Sequence, residues 1–283
     1  MDVIESAGGF HAACDGVRAS GRTVGLVPTM GFFHEGHLSL MRQAREERDV
    51  VAISIYVNPL QFGPGEDFAA YPRDLDRDLA LAEAEGVDLV FAPSDDEMYP
   101  DGPPRVTVDP GPLADRLEGA IRPGHFRGVV TVVAKLFHAC GPAVAYFGEK
   151  DAQQIAIVRR MVRDLSFPMG IVGCSIVREP DGLAMSSRNV YLSEPERAAA
   201  LCLSRGLGKA RALFDEGERD PSALAQAIRA EVDSEPLAKL DYAVVVDADS
   251  YDDIEGTIER PARALVAAKV GTPRLIDNTL LTP

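Results

Sequence analysis

The chain has 283 residues, 46% hydrophobic and 26% charged, the makeup of a globular protein large enough for two domains and a substantial core. Its 29 Lys and Arg against 44 Asp and Glu leave a net charge of -15, a field that repels phosphate backbones and anionic membrane surfaces and disfavours a nucleic-acid partner. The opening residues MDVIESAGGFHAACDG carry neither a basic nor an apolar signal region, and no stretch has the run of about 18 apolar residues that spans a membrane. That absence of signal and span predicts a cytoplasmic location, while Cys14, Cys140, Cys174 and Cys202 form no C-x-x-C pair, which argues against a zinc ribbon or redox dithiol and predicts buried reduced thiols.

From residue 23 onward, short apolar runs rich in β-branched residues lie at 23–27, 50–57, 87–92, 106–108, 143–147 and 170–177. Between them, stretches at about 36–48, 74–85, 128–139 and 152–165 place apolar residues at three- and four-residue spacing. This alternation predicts an α/β fold, a Rossmann-like doubly wound parallel sheet. After about residue 177 the order changes to helices at 194–214 and 221–233, followed by strands at 242–247, 264–270 and 274–278. That pattern predicts a smaller C-terminal α+β domain, with domains at 1–177 and 178–283.

The richest stretch is GLVPTMGFFHEGHLSLMRQA, in which a strand runs out at Pro28, Thr29, Met30 and Gly31 and a helix begins near His37. Open α/β sheets bind ligands beyond the carboxyl ends of their strands, and a helix start offers N–H groups to an anion. His34 and His37, three apart, project on one side, and Gly36 admits a close ligand. Imidazole donors there suit a phosphate that gains charge during attack. The alternatives are structural histidines or a metal site, but His11, His125 and His138 supply no evident third ligand.

Further along, VNPLQF carries Asn58 and Gln61 past a strand end, where an amide serves a hydroxy acid as donor and acceptor; a turn capped by Asn58 is the alternative. RPGHFRGV places Arg122 and His125 in a loop before a helix, and YPR holds Tyr71. In YFGEKDAQQ, a strand ends at Phe147 and Gly148, so Lys150, Asp151, Gln153 and Gln154 fall at a ligand-facing edge. In DGLAMSSRN, Ser186, Ser187 and Arg188 are donors fit to wrap phosphate oxygens from a junction loop, against the alternative of a helix-capping serine.

PTMGFFHEGH and these later strings, in this order from residue 28 to 189, resemble the pantothenate synthetase family. H-x-G-H alone is shared by many nucleotidyltransferases; the six strings together are much narrower. The resemblance implies an ATP-dependent ligase that activates pantoate as an acyl-adenylate and couples it to β-alanine, releasing AMP and pyrophosphate. Residues 1–177 then bind nucleotide and pantoate, and residues 178–283 form a lid. It implies catalytic roles for His34, His37, Lys150, Ser186, Ser187 and Arg188. ATP would be bound by Pro28, Thr29, Met30, His34, Gly36, His37, Phe147, Gly148, Lys150, Asp151, Val177, Met185, Ser186, Ser187 and Arg188. Pantoate would meet Met30, Asn58, Gln61 and Gln154, with Tyr71, Arg122 and His125 lining the site. A homodimer is also implied.

The sequence departs from the family in YPRDLDRDLA, where Arg77 precedes Asp78 in place of the two adjacent acids of some relatives. Mg²⁺ is therefore expected on the ATP phosphates, with no direct protein ligand and Asp78 reaching it at most through water. Two rivals remain. A nucleotidyltransferase that stops at an activated product would want basic residues where Gln61 and Gln154 stand. A non-catalytic nucleotide-binding module would have no use for both histidines together with Lys150 and the serine loop.

Overall fold

Six strands make the sheet of the first of two units in the computed structural model, which describes residues 1–283. They are β1 (Asp2–Ile4), β2 (Val24–Thr29), β3 (Val50–Ile55), β4 (Leu89–Phe91), β5 (Ala143–Gly148) and β6 (Met169–Cys174), all parallel in the order β1-β4-β3-β2-β5-β6. The helices are α1 (Ala7–Ala19), α2 (Glu35–Glu47), α3 (Leu75–Ala84), the single turns α4 (Asp95–Met98) and α5 (Glu118–Ile121), α6 (His125–Cys140) and α7 (Ala152–Asp164). Alternation along a strand sends neighbouring residues to opposite faces: Leu26 and Ala52 join a core with α1, α6 and α7, while Val27 and Ile53 join one with α2 and Ala82 of α3. Burial on both faces is why these strands read as unbroken apolar runs.

The chain moves outward from β2 through β3 to β4 on one side and through β5 to β6 on the other, so the order reverses between β2 and β5. Pairing of Gly25 with Val144 and Leu26 with Ala145 sets Thr29 level with Gly148 at the carboxyl edge. Ile55 is level with Thr29 on the opposite side. Ligands bind at such a switch point because the diverging connections leave a crevice there.

The second unit comprises Lys150–Ala152 and Ile176–Pro283. Helices α8 (Glu194–Asp215) and α9 (Pro221–Asp233) precede the antiparallel strands β7 (Ala238–Asp247), β8 (Ala262–Val270) and β9 (Arg274–Leu281), in sheet order β7-β8-β9. Their apolar faces share one core, from Ala199, Leu203 and Leu207 of α8 to Ala264, Val266 and Ala268 of β8.

The structure corrects the sequence reading at several points. Residues 106–108 are not a strand: Val106 is 86% exposed, and the Val108 N–H donates to the Thr131 hydroxyl (3.1 Å) instead of to a ladder. Prolines at 103, 104 and 110 confine this apolar run to an extended loop. Helix α6 begins at His125, three residues before the predicted start, behind a left-handed Gly124 with φ +85°. The missed pair β1 and α1 opens the fold; Gly8, Gly9 and Gly16 dilute the helical signal, although Phe10, Cys14 and Val17 keep the buried spacing.

Candidate active site

The turn after β2 is built around the two histidines. His34 is the N-cap of α2, and its Nδ1 accepts from the Gly36 N–H (3.1 Å). The Nδ1 of His37 in turn accepts from the His34 N–H (3.3 Å), a reciprocal capping box made by imidazoles in place of Ser and Glu. A neutral ring that accepts at Nδ1 carries its proton on Nε2, so these backbone bonds assign both side chains as Nε2–H donors. The rings lie 4.2 Å apart between centroids and are both half-buried. Thr29 is buried, with its hydroxyl donating to the Ser54 carbonyl (2.5 Å) and accepting from the Gly31 N–H (3.2 Å), which fixes the strand end from which the turn departs.

Beside it, Gln61 sits in a short 3-10 turn, Pro59–Gln61, after β3. Its Nε2 meets the Met30 sulfur (3.1 Å) and its Oε1 accepts from Asn58 Nδ2 (3.2 Å), so the structure brings Met30, Asn58 and Gln61 together. Asn58 is 1% exposed. Its Nδ2 also donates to the Gly128 carbonyl (3.1 Å), while Oδ1 accepts from the Tyr99 hydroxyl (2.8 Å) and, at 3.4 Å, from the Leu60 N–H. All four hydrogen-bonding positions of the amide are thus taken by protein groups. The Asn58 cap foreseen in the sequence is present, and its effect is to orient the Gln61 side chain. Burial pushes the Tyr99 phenol above its ordinary pKa, which keeps it a donor to Asn58.

Gly128 makes this approach possible. A Cβ at that position would lie 2.3 Å from the Leu60 carbonyl oxygen and 2.6 Å from the Gln61 nitrogen, so α6 presses against the 3-10 turn with only a hydrogen between them.

Arg122 and His125 support the same turn from behind. The His125 Nδ1–H donates to the Gln61 carbonyl (2.8 Å), and its Nε2 accepts from the Arg122 guanidinium (3.0 Å); a carbonyl only accepts and a guanidinium only donates, which settles the tautomer. Arg122 also holds both Glu66 carboxylate oxygens, its Nε at 2.9 Å from Oε1. Burial alone would raise the Glu66 pKa; the pairing with Arg122 outweighs it and holds the carboxyl below its ordinary value. Tyr71 is buried edge-on to Phe62, with ring centroids 5.9 Å apart, and its carbonyl accepts from Arg73 (2.9 Å).

Phe147 and Gly148 end β5 level with the histidine strand's end. Gln154 is half-buried in the first turn of α7. Its neighbour Gln153 departs from expectation, since it turns inward rather than toward a ligand. It is 4% exposed, accepts from the Glu118 N–H (3.1 Å) and donates to the Leu113 and Arg116 carbonyls (both 2.9 Å), pinning the loop before α5.

In the second unit, residues 177–185 close into a hairpin: the Met185 N–H donates to the Val177 carbonyl (3.0 Å) and the Glu179 N–H to the Leu183 carbonyl (2.8 Å). Ser186 caps the 3-10 turn Ser187–Tyr191 by accepting from the Arg188 N–H (3.3 Å). Buried Asp277 of β9 holds Arg178, at the hairpin base, through two bonds of 2.6 and 2.9 Å. The adjacent Asn278 donates to the carbonyl of Lys150 (3.0 Å), whose ammonium lies 3.9 Å from the Asp151 carboxylate.

Sequence reasoning missed Glu66, Tyr99 and the part played by Asp78. The Asp78 carboxylate, 1% exposed, accepts from the Phe32 N–H (2.6 Å) and the Phe33 N–H (2.8 Å). No three His, Cys, Asp or Glu gather in a way that could hold an ion. No helix is long and apolar enough to cross a membrane.

Residues 2–280 match the family described as Pantoate-beta-alanine ligase. The chain is 56% identical over 281 residues to pantothenate synthetase of Roseiflexus castenholzii and to that of Heliobacterium modesticaldum, covering 99% of each chain. Pantothenate synthetase from Thermus thermophilus superposes with a TM-score of 0.92 at 46% identity over the whole of both chains. A pantoate-beta-alanine ligase from Francisella tularensis, complexed with beta-gamma ATP and beta-alanine, gives 0.79 at 33% identity, covering 99% of this chain and 97% of that one. With a family match over nearly its full length and relatives of this identity, the chain belongs to the pantoate–β-alanine ligase family.

Proposed function

We propose that this enzyme joins pantoate to β-alanine in two steps at the carboxyl edge of its parallel sheet. In the first, a pantoate carboxylate oxygen attacks the α-phosphorus of ATP, an O–P bond forms, and pyrophosphate leaves with the electrons of the broken P–O bond. In the second, the β-alanine amine attacks the acyl carbon, AMP departs and the amine loses a proton. The observation that carries the reading is the reciprocal capping of His34 and His37, which makes both Nε2 atoms donors at the end of β2 beside the switch point. Donors fixed by backbone bonds need no reorganisation as charge grows on the phosphoryl group.

Gln61 and Gln154 are assigned to pantoate, with Met30 and Asn58 shaping that pocket and Tyr71, Arg122 and His125 backing it. Lys150, Ser186, Ser187 and Arg188 are assigned to phosphate on the resemblance of their strings, and the C-terminal unit to the role of a lid. Because Asp78 spends both oxygens on backbone N–H groups, Mg²⁺ is assigned to the ATP phosphates, where it would offset their charge. A homodimer in the cytoplasm completes the reading and rests on the family resemblance.

The test is isotope exchange between pyrophosphate and ATP with pantoate present and β-alanine absent. Exchange that depends on pantoate is expected, since reversible adenylation returns label to ATP before any amine is added. Label that enters ATP only when β-alanine is also supplied would rule out a free acyl-adenylate.

The amide assignment predicts a selective defect. A substrate polar group that loses its partner on binding costs about 1–3 kcal/mol, so Gln61→Ala or Gln154→Ala should raise the KM for pantoate roughly five- to hundredfold while leaving the KM for ATP nearly unchanged. Steady-state kinetics with each substrate varied in turn checks this; loss of ATP affinity with pantoate affinity retained would mean that the pockets are exchanged.

A further inference from the structure

The turn that carries the histidines holds a backbone that its own residues do not favour. Gly31 takes φ +79° and Phe32 takes φ +52°, two consecutive left-handed residues of which the second is a bulky L residue. His34 follows in extended conformation, φ -131° and ψ 173°, and caps α2. Successive backbone N–H groups in a tight turn can converge on an anion. Here the anion is supplied by the protein: the N–H groups of Phe32 and Phe33 bond the two carboxylate oxygens of Asp78, 45 residues farther on in α3.

Arg77 grips the turn from the same helix. Its guanidinium donates to the Phe33 carbonyl (2.9 Å) and lies 5.2 Å over the Phe32 ring. A Cβ on Gly31 would come within 2.8 Å of Asp78 Oδ2, so the carboxylate is seated against the bare backbone of the turn. Burial pushes the Asp78 carboxyl above its ordinary pKa, and the two N–H donors and Arg77 act against that push. Asp78 is 1% exposed, so it does not itself reach a substrate.

We propose that Asp78 is the positioning residue of the histidine pair: by holding Phe32 in the left-handed region it fixes where His34 caps α2 and hence where both Nε2–H donors point. The proposal rests on the reading of His34 and His37 as phosphate donors. It gives the α3 acid a role separate from metal binding.

The experiment compares Asp78→Asn, Phe32→Gly and the double variant by pantoate-dependent pyrophosphate exchange, with the folded fraction followed by circular dichroism. The amide introduced by Asp78→Asn would set an N–H against one of the two backbone donors. Misplacement of a reacting group by an ångström costs about a hundredfold, so Asp78→Asn is expected to lose about thirty- to hundredfold in kcat with the KM values for ATP and pantoate within about threefold. Glycine takes positive φ without steric cost, so Phe32→Gly in the double variant is expected to return about tenfold of that loss. A merely structural acid would lower the folded fraction and leave kcat per folded enzyme unchanged, which overturns the proposal. Full recovery of Asp78→Asn in excess Mg²⁺ also overturns it, because the carboxylate would then be serving the metal. If Asp78→Asn does not fold, Arg77→Ala is the milder probe, with a kcat loss of about three- to tenfold expected and an unchanged kcat counting against the proposal. If His34→Ala and His37→Ala keep their adenylation rate, the functional reading fails; if they lose it while Asp78→Asn does not, only the positioning role fails.

Discussion

Replacing His34 or His37 with alanine is expected to slow pantoyl-adenylate formation by about 10²–10³, or roughly 3–4 kcal/mol, the usual cost of one preorganised donor to a developing charge. Because such a donor acts mainly in the transition state, ATP should still bind within about tenfold of wild type. The two variants need not be equal, since His34 caps α2 through its own Nδ1 while His37 reaches back to the His34 N–H. His34→Asn separates the two duties: an asparagine can cap the helix but has no group at the Nε2 position, so it should restore the fold of α2 without restoring the rate. Rapid-quench measurement of the adenylate in well-folded variants decides the matter. Adenylation near wild-type speed in both alanine variants would remove the histidines from the chemistry.

The second large effect is one of stability. Arg178→Ala leaves the carboxylate of Asp277, 3% exposed, with the Asn278 N–H (2.8 Å) but without its charge partner. Breaking a fully buried ion pair by removing one partner costs about 3–5 kcal/mol; with the Arg178 side chain 32% exposed, solvent screens the pair and a loss of about 2–3 kcal/mol is expected. The exposed pair Arg211 and Asp215, four residues apart on α8, is the control: Arg211→Ala should cost no more than about 0.5 kcal/mol. Urea unfolding followed by far-ultraviolet circular dichroism compares the two directly; the chain has no tryptophan to serve as a fluorescent reporter. An Arg178→Ala transition that matches the control would mean that Asp277 finds water or a proton when its partner is gone.

What the sequence disclosed and what it concealed divide by the range of the interaction. Helix α2 was legible because Leu40, Met41 and Ala44 mark a buried stripe within its own span. The parallel sheet was legible from strands apolar on both faces. Helix α1 was hidden by its three glycines, and residues 106–108 passed for a strand because β-branched residues favour one even between prolines. The wiring behind the site was not legible. The sequence places Asn58 at a strand end but does not show that its amide bonds Tyr99 and Gly128, 41 and 70 positions away. Asp78 shows only its charge in the sequence, and its hold on Phe32 and Phe33 appears only in the fold. Such partners are set by which elements the sheet order brings together, and no local pattern records them.

The contact at Gly128 bears on any attempt to re-engineer the acid that this enzyme accepts. With Gln61 assigned to the acid as proposed above, a roomier pocket would not be gained by remodelling α6 at that point, because the first carbon added there collides with the backbone of the turn that carries Gln61. The other neighbour of that side chain is the flexible thioether of Met30, which touches the Gln61 amide (3.1 Å) and is the more adaptable position to vary. A library aimed at new hydroxy acids would therefore vary position 30 and keep position 128 bare.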